Sequence, residues 1–420
     1  MKIVYLVHQF FPEFHSGTEN FVLNLSRMTQ RIGNRVKVIT YSNFDDSEYE
    51  EEVDGVLSKE YIYKGIPVLS VKLRNPPIDL TSGLNIDAIR EYSRRILAIE
   101  APDIIHVAHS MRIHPFLWAA IDLQIPYVMT LTDFFVICPK VILAPNRDSL
   151  CNGPQKGAAC GEFCREFSAE YTKNRLANAE VLLRGAKRII TPSKFVHDIF
   201  ENEFPGLHTL TIGHGIRLKD FDSRDRVYLG SKEQLVFGFA GTLANHKGLH
   251  ILVNAFKELH HDNIELRIYG SGEPDYVQML EEDVSGDKRV KFCGVYSSEQ
   301  VGEVFAGIDV MVIPSICYET YAFVLHESLA CNVPAIVSDL GGLSEKVTNG
   351  VNGYTFLAGD AEDLRTKMGF IVENPSILNQ LRLNINLNTL VPSLEGEAYS
   401  YFKIYNEIKQ NINPEISSES

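Results

Sequence analysis

Two glutamates eight positions apart, Glu319 and Glu327, are the residues of this 420-residue chain best placed by type and spacing to share a ligand. They lie in the run Pro314-Ser315-Ile316-Cys317-Tyr318-Glu319-Thr320-Tyr321-Ala322-Phe323-Val324-Leu325-His326-Glu327-Ser328-Leu329-Ala330. A short apolar strand precedes the run, so the pattern puts Glu319 in a loop and Glu327 inside the helix that follows. An ionised carboxylate accepts hydrogen bonds from paired hydroxyls such as those of a sugar or a ribose. The loop leads into a helix N-terminus, whose free N–H groups and positive dipole end suit a phosphate. Taken alone, the same spacing also fits an amphipathic helix with solvated acids.

A second element follows another apolar strand: Phe239-Ala240-Gly241-Thr242-Leu243-Ala244-Asn245-His246-Lys247-Gly248. Its glycines let a backbone approach a diphosphate, and Lys247 carries the charge to neutralise one. A third, Tyr269-Gly270-Ser271-Gly272-Glu273-Pro274-Asp275, begins like a dinucleotide fingerprint but puts Asp275 where the third glycine belongs, which argues against a nicotinamide cofactor. Near the start, His8 to Glu19 forms a loop between strand and helix, where Gly17 admits a close phosphate or sugar and Ser16 equally makes a plain helix cap.

These elements need a frame, and the hydrophobic pattern predicts one. Short β-branched or aromatic runs alternate with stretches of helical period, the mark of parallel sheets flanked by helices. Strands are expected at Ile3 to Val7, Val36 to Thr40, Ile104 to Val107, Tyr127 to Leu131 and Arg188 to Thr191, with helices such as Glu19 to Arg31 and Asp87 to Ile99. A second series covers Leu235 to Ala240, Ile264 to Tyr269, Val290 to Phe292, Val310 to Ile313 and Ala335 to Val337. The reading is α/β with two domains, 1–215 and 216–393, parted where Gly213, Gly215 and the charged stretch Lys219 to Arg226 break the periodicity. A final helix, Leu394 to Ile412, carries Tyr399, Phe402 and Tyr405, and a polar tail follows Asn413. Ligands of doubly wound sheets bind at the carboxyl ends of the strands, which two facing domains would turn into a cleft.

Composition limits the partners. The formal charge is -14, nearly balanced up to residue 204 and strongly acidic beyond it, which opposes nucleic-acid binding. No run of about 20 apolar residues is present, and Met1 to Phe14 reads as a first strand without a cleavage site, so a cytoplasmic protein is expected. Arg90, Arg94 and Arg95 leave open a peripheral contact with an anionic inner membrane surface, against the plainer reading of a solvated helix face. Seven scattered cysteines suit a reducing compartment. Cys138, Cys151, Cys160 and Cys164 cluster without a CxxC pair, which fits a packed loop better than a zinc template.

Taken together, the quoted motifs resemble the retaining glycosyltransferases of family 4, with the GT-B fold. The resemblance runs from Gly17-Thr18-Glu19 to Gly341-Gly342-Leu343-Ser344-Glu345 and Asn352-Gly353-Tyr354. It implies two Rossmann-like domains facing across a cleft, a C-terminal helix 394–412 crossing back to complete the first, and a nucleoside diphosphate sugar as donor. Lys247 would then bind the diphosphate, Glu319 the transferred sugar and Glu327 the ribose. Backbone groups of Ala322, Phe323 and Val324 would contact sugar and β-phosphate. Gly241 and Thr242 line the phosphate loop, Gly17 approaches from the facing domain, and the backbone near Tyr296 meets the base. Catalytic candidates are Glu319, Lys247 and Asp133. No metal is implied, and Asp220-Phe221-Asp222 is read as linker. The chain departs from the pattern in having Thr242 for an arginine, Thr132-Asp133 for His-Asp, and Tyr321-Ala322 for Phe-Gly. The acceptor implied is a hydroxyl of a lipid-linked or polysaccharide substrate. A nucleotide-sugar epimerase of the same fold and a silent sugar-nucleotide sensor are the rival readings.

Overall fold

The computed structural model describes residues 1–85, 87–146, 149–217, 227–228, 234–388 and 391–412. Lys219 to Arg226, with the Asp220-Phe221-Asp222 motif, lies outside them, as does the tail from Asn413. Two compact units result. The first comprises Met1–Pro145, Cys151–Gly215 and the chain from Leu394; the second comprises Ile216–Ser393 with Asn146–Leu150.

In the first unit the order is β1 (Lys2–Val7), α1 (Gly17–Arg31), β2 (Arg35–Tyr41), β3 (Glu51–Val53), β4 (Val56–Tyr63), β5 (Ile66–Leu73), α2 (Arg90–Glu100), β6 (Ile104–Val107) and α3 (His114–Asp122). It continues with β7 (Tyr127–Thr130), α4 (Ala158–Phe163), α5 (Ala169–Gly185), β8 (Arg188–Thr191), α6 (Lys194–Glu203) and β9 (Thr209–Thr211). The strands form one sheet in the order β3-β4-β5-β2-β1-β6-β7-β8-β9. All pairings are parallel except β3 with β4 and β4 with β5. Both faces of the sheet are covered, so β6 and β7 are buried at every position, the polar His106 and Thr130 included. The antiparallel strands β3 to β5 are not among the strands expected from the sequence. An acidic lead-in masks them, although Lys59 to Tyr63 shows the two-residue alternation of an edge strand.

The second unit runs β10 (Leu235–Ala240), α7 (Leu249–Lys257), β11 (Ile264–Tyr269), α8 (Pro274–Asp283), β12 (Val290–Gly294), α9 (Val301–Ala306), β13 (Val310–Ile313) and α10 (Phe323–Ala330). Then come β14 (Ala335–Ser338), α11 (Gly341–Ser344), β15 (Gly353–Phe356), α12 (Ala361–Glu373) and α13 (Ile377–Asn388). Its sheet, β12-β11-β10-β13-β14-β15, is parallel throughout. Phe237, Phe256, Leu266 and Met368 fill the core on one face, Phe305, Met311 and Leu325 on the other.

The last helix, α14 (Leu394–Ile412), packs on α1 and belongs to the first unit. Tyr401 and Tyr405 are fully buried, whereas Tyr399 is 60% exposed. The Tyr405 hydroxyl meets His106 Nδ1 at 2.6 Å, and the other imidazole nitrogen meets Thr130 Oγ1 at 2.8 Å, itself 2.9 Å from the Tyr401 hydroxyl. Burial, with His214 nearby, lowers the His106 pKa to about 3, so the ring is neutral and serves the structure. At the helix start, buried Glu397 accepts from His214 Nδ1 and from the Gly215 N–H, each at 2.9 Å. Removing one member of a buried pair leaves the other uncompensated. Glu397→Ala is therefore expected to destabilise the first unit by about 3 kcal/mol in urea unfolding.

Candidate active site

Both sheets turn back on themselves at one point, and ligands of open parallel sheets bind outside the strand ends there. In the second unit that point lies between β10 and β13. The loops leaving these two strands are the Gly241–Gly248 and Pro314–Ala322 segments, so the topology itself brings together the two motifs of highest chemical content.

The loops are stitched by backbone. Ile316 N–H donates to His246 O, Gly342 N–H to Glu319 O, and Leu243 N–H to Ser271 O, at 2.9, 2.9 and 2.8 Å. Gly248 has φ +70, and a Cβ there would stand 1.8 Å from the Pro314 carbonyl oxygen. The glycines of the fingerprint-like third motif serve the same purpose: a Cβ on Gly272 would meet Leu243 O at 1.8 Å. They pack one loop on another, which explains a dinucleotide-like pattern without a dinucleotide.

Lys247 closes a short 3₁₀ turn, Asn245–Lys247, just before α7. Its ammonium donates to Glu319 Oε1 at 2.7 Å, and Ser315 Oγ donates to the same oxygen at 2.7 Å. The side chains are 28% and 14% exposed. Burial alone would raise the Glu319 pKa; the Lys247 charge overrides it, and the net shift is downward. Lys247 is held charged by the same pairing, against its own burial.

Glu327 presents the opposite case. It sits one turn into α10, makes no ion pair or side-chain hydrogen bond among the described residues, and burial raises its pKa to about 7. Tyr296 lies close enough for the two to repel as anions, and its ring meets Tyr269 edge-on at 5.7 Å. Gly241 and Thr242 are exposed on their loop. Ala322, Phe323 and Val324 form the partly open head of α10. Ala322 has φ +53, a left-handed conformation that glycine adopts freely and alanine only with strain. The Tyr321 ring stacks on His326 at 3.8 Å.

Gly17 and Asp133 belong to the first unit. Gly17 opens α1, and Glu19 folds back so that its Oε2 accepts from the Ser16 N–H at 2.6 Å, the helix-cap reading in full. Asp133 accepts from the Phe135 N–H at 2.9 Å and forms a close pair with His109 Nε2. Thr132, which departs from the His-Asp of the resembled pattern, donates to Ala108 O at 2.8 Å. His109 comes from the neighbouring loop after β6 and was missed in the sequence. The signal available for it was a histidine two residues beyond the end of an expected strand, Ile104 to Val107.

Cys138, Cys151, Cys160 and Cys164 are free thiols lining one small apolar cavity with Lys140 and Leu143. Burial raises the Cys160 pKa to about 12, which marks a packed thiol rather than a nucleophile. Among the described residues no three His, Cys, Asp or Glu side chains meet as a metal-holding group, and no helix is long and apolar enough to cross a membrane. Arg90 forks onto Asp122 at 2.9 and 2.8 Å, and Arg94 faces Asp122 and Glu91. These pairings favour a solvated helix face over a free basic patch.

Residues 15–219 match the family described as Glycosyltransferase Family 4, and residues 234–374 match Glycosyl transferases group 1. An uncharacterized glycosyltransferase of Methanocaldococcus jannaschii is 26% identical over 84% of this chain and 84% of its own length. Among solved structures, sucrose-phosphate synthase from Thermosynechococcus elongatus aligns with a TM-score of 0.69 at 19% identity, over 97% of this chain and 98% of that one. Anabaena HepE in complex with UDP and glucose aligns at 0.65 and 20% identity over the whole of both chains.

Proposed function

From the premise that the chain is a GT-B-fold glycosyltransferase related to the family 4 and group 1 transferases, we propose that it moves a sugar from a nucleoside diphosphate sugar to a hydroxyl acceptor with retention of configuration. The observation that carries this reading is the pairing, at one switch point, of a charged Lys247–Glu319 couple with a half-buried carboxylate, Glu327, that has no side-chain partner among the described residues. A ribose diol donates two hydrogen bonds and suits a carboxylate lacking partners. A diphosphate suits Lys247 with the turn and helix start beside it. On binding, Lys247 exchanges part of its hold on Glu319 for the phosphates, and Glu319 turns its acceptor oxygens to the sugar.

In the transfer the acceptor oxygen attacks C1 from the face the phosphate leaves. The C1–O bond to phosphate breaks, and the departing phosphate oxygen takes the acceptor proton. Lys247 stabilises the charge that develops on the leaving group. Ala322, Phe323 and Val324 contribute backbone contacts at the head of α10. Gly241, Thr242 and the backbone at Tyr296 complete the donor side. In the first unit, Gly17 is assigned to phosphate approach, and Asp133 orients His109 on the acceptor side. A polysaccharide or glycolipid acceptor and a cytoplasmic location belong to the same reading, on resemblance alone.

The test is thermal stabilisation by UDP-, GDP-, ADP- and TDP-sugars, followed by NMR of the products. One nucleotide series should stabilise the protein by about 2.7 kcal/mol at a hundredfold excess over its dissociation constant, and the new glycoside should keep the donor's anomeric form. An altered free nucleotide sugar would indicate an epimerase, and binding without turnover a sensor. Gly248→Ala should lower donor affinity about tenfold, because the strained turn displaces Lys247 by more than the loop can absorb; isothermal titration measures it.

A further inference from the structure

The first unit has its own switch point, between β1 and β6, and the loops there carry polar groups without partners. His8 follows β1 and is 8% exposed, with Nδ1 unpartnered. Its ring stacks on His109 at 3.8 Å, joining the two loops. Ser110 is 2% exposed, with an unpartnered hydroxyl. Arg112, two residues on, has a buried, unpartnered Nε and makes no ion pair or hydrogen bond among the described residues. Its guanidinium lies 5.6 Å from the centre of the Tyr41 ring, at the end of β2. Arg112 also has φ +60, a left-handed conformation that strains a non-glycine residue.

A half-buried guanidinium without a counter-ion is an expensive arrangement for folding alone. The carboxylate within electrostatic reach, Glu13, has both oxygens on the Asn43 N–H at 3.2 Å, and burial raises its pKa. The nearby imidazole of His8 is kept neutral by burial, with His109 and Arg112 adding to the effect, so it can donate from Nδ1 without adding a second charge. A planar fork of donors, a neutral imidazole donor and a hydroxyl, set at strand ends, match an oxyanion.

We propose that the β1/β6 crevice of the first unit is an oxyanion subsite that receives a phosphate or carboxylate group carried by the acceptor, with Arg112 supplying the charge. The acceptor assignment rests on the transfer reading above; the anion site does not. The test uses the full chain at constant ionic strength with three probes: inorganic phosphate, glucuronate and chloride. In the wild type, phosphate or glucuronate should raise Tm saturably, by about 4 °C at tenfold excess over the dissociation constant, and chloride should not. A response to phosphate identifies a phosphorylated acceptor, and one to glucuronate an acidic sugar. Arg112→Met should abolish the response with the ligand-free Tm unchanged or higher, since it removes an unpaired buried charge and keeps the volume. Lys247→Ala should retain it. Stabilisation by nucleotide sugars should survive Arg112→Met; its loss would reassign the site to the donor phosphates and overturn the acceptor assignment. No response to either anion, an equal response in Arg112→Met, or a lower ligand-free Tm in that variant would overturn the subsite. If nucleotide sugars bind nowhere while the Arg112-dependent response persists, the donor reading fails and the anion site stands.

Discussion

Replacing Lys247 by alanine is expected to lower kcat for glycosyl transfer by roughly a hundredfold to a thousandfold, the range typical of losing one preorganised group that stabilises transition-state charge. The argument starts from the 2.7 Å contact between Lys247 Nζ and Glu319 Oε1. The ammonium is already charged and already fixed by its turn, so little reorganisation is needed as negative charge grows on the departing phosphate. The alanine variant loses that stabilisation and also strands Glu319, which is 14% exposed. An unpaired buried carboxylate carries a penalty of about 3–5 kcal/mol at the upper end of measured cases, so a stability loss could pass for a catalytic one. The double variant Lys247→Ala/Glu319→Gln separates the two effects. Urea unfolding should show stability largely restored, whereas initial rates should stay low. Recovery of the rate in the double variant, or a kcat within threefold of wild type in the single one, would contradict the role given to Lys247.

The second large effect concerns pH and Glu327. Its folded-state pKa of about 7 lies above the ordinary 4.5. Between those values the folded protein keeps a proton that the unfolded chain has released. Its contribution to stability is therefore complete below the unfolded value and is lost as pH rises through the folded one. Binding runs the other way, because ribose hydroxyls need the ionised carboxylate as acceptor. From pH 8 to pH 6 the affinity for the nucleotide sugar should fall roughly tenfold, as expected for one group with pKa near 7 that must be ionised to bind. Glu327→Gln should bind more weakly at pH 8 and show a flat profile across that interval. A nucleotide sugar has no phosphate proton that titrates there, so titration calorimetry reads the protein group. An unchanged slope in the glutamine variant would detach Glu327 from the donor.

How far the sequence announces this arrangement depends on whether a feature is local. Buried parallel strands announce themselves because both faces are apolar, so β10, buried at all six positions, is legible as a run. Glu319, Glu327 and Lys247 are legible because they stand at fixed offsets from such runs. The Lys247–Glu319 bond is less so, since it joins loops from β10 and β13, and strand order is not written in either segment. His109 escapes notice for the same reason: its partner Asp133 follows a neighbouring strand. Ala322 escapes because alanine is no turn signal, although its φ of +53 does the work of the family's glycine. The hairpin from β3 to β5 is hidden by an acidic lead-in that resembles a solvated loop.

The return of α14 to the first unit also sets a timetable for biogenesis. Tyr401 and Tyr405 complete the hydrogen-bonded core around His106 and Thr130, yet they are translated after the whole of the second unit. At the usual pace of synthesis, the stretch from Ile216 to Ser393 takes roughly ten to forty seconds. Throughout that time the nascent first unit presents His106 and the apolar face of α1 uncovered, while the second unit can finish on the ribosome. A stop codon just before Leu394 would thus damage the half of the protein made first and spare the half made last.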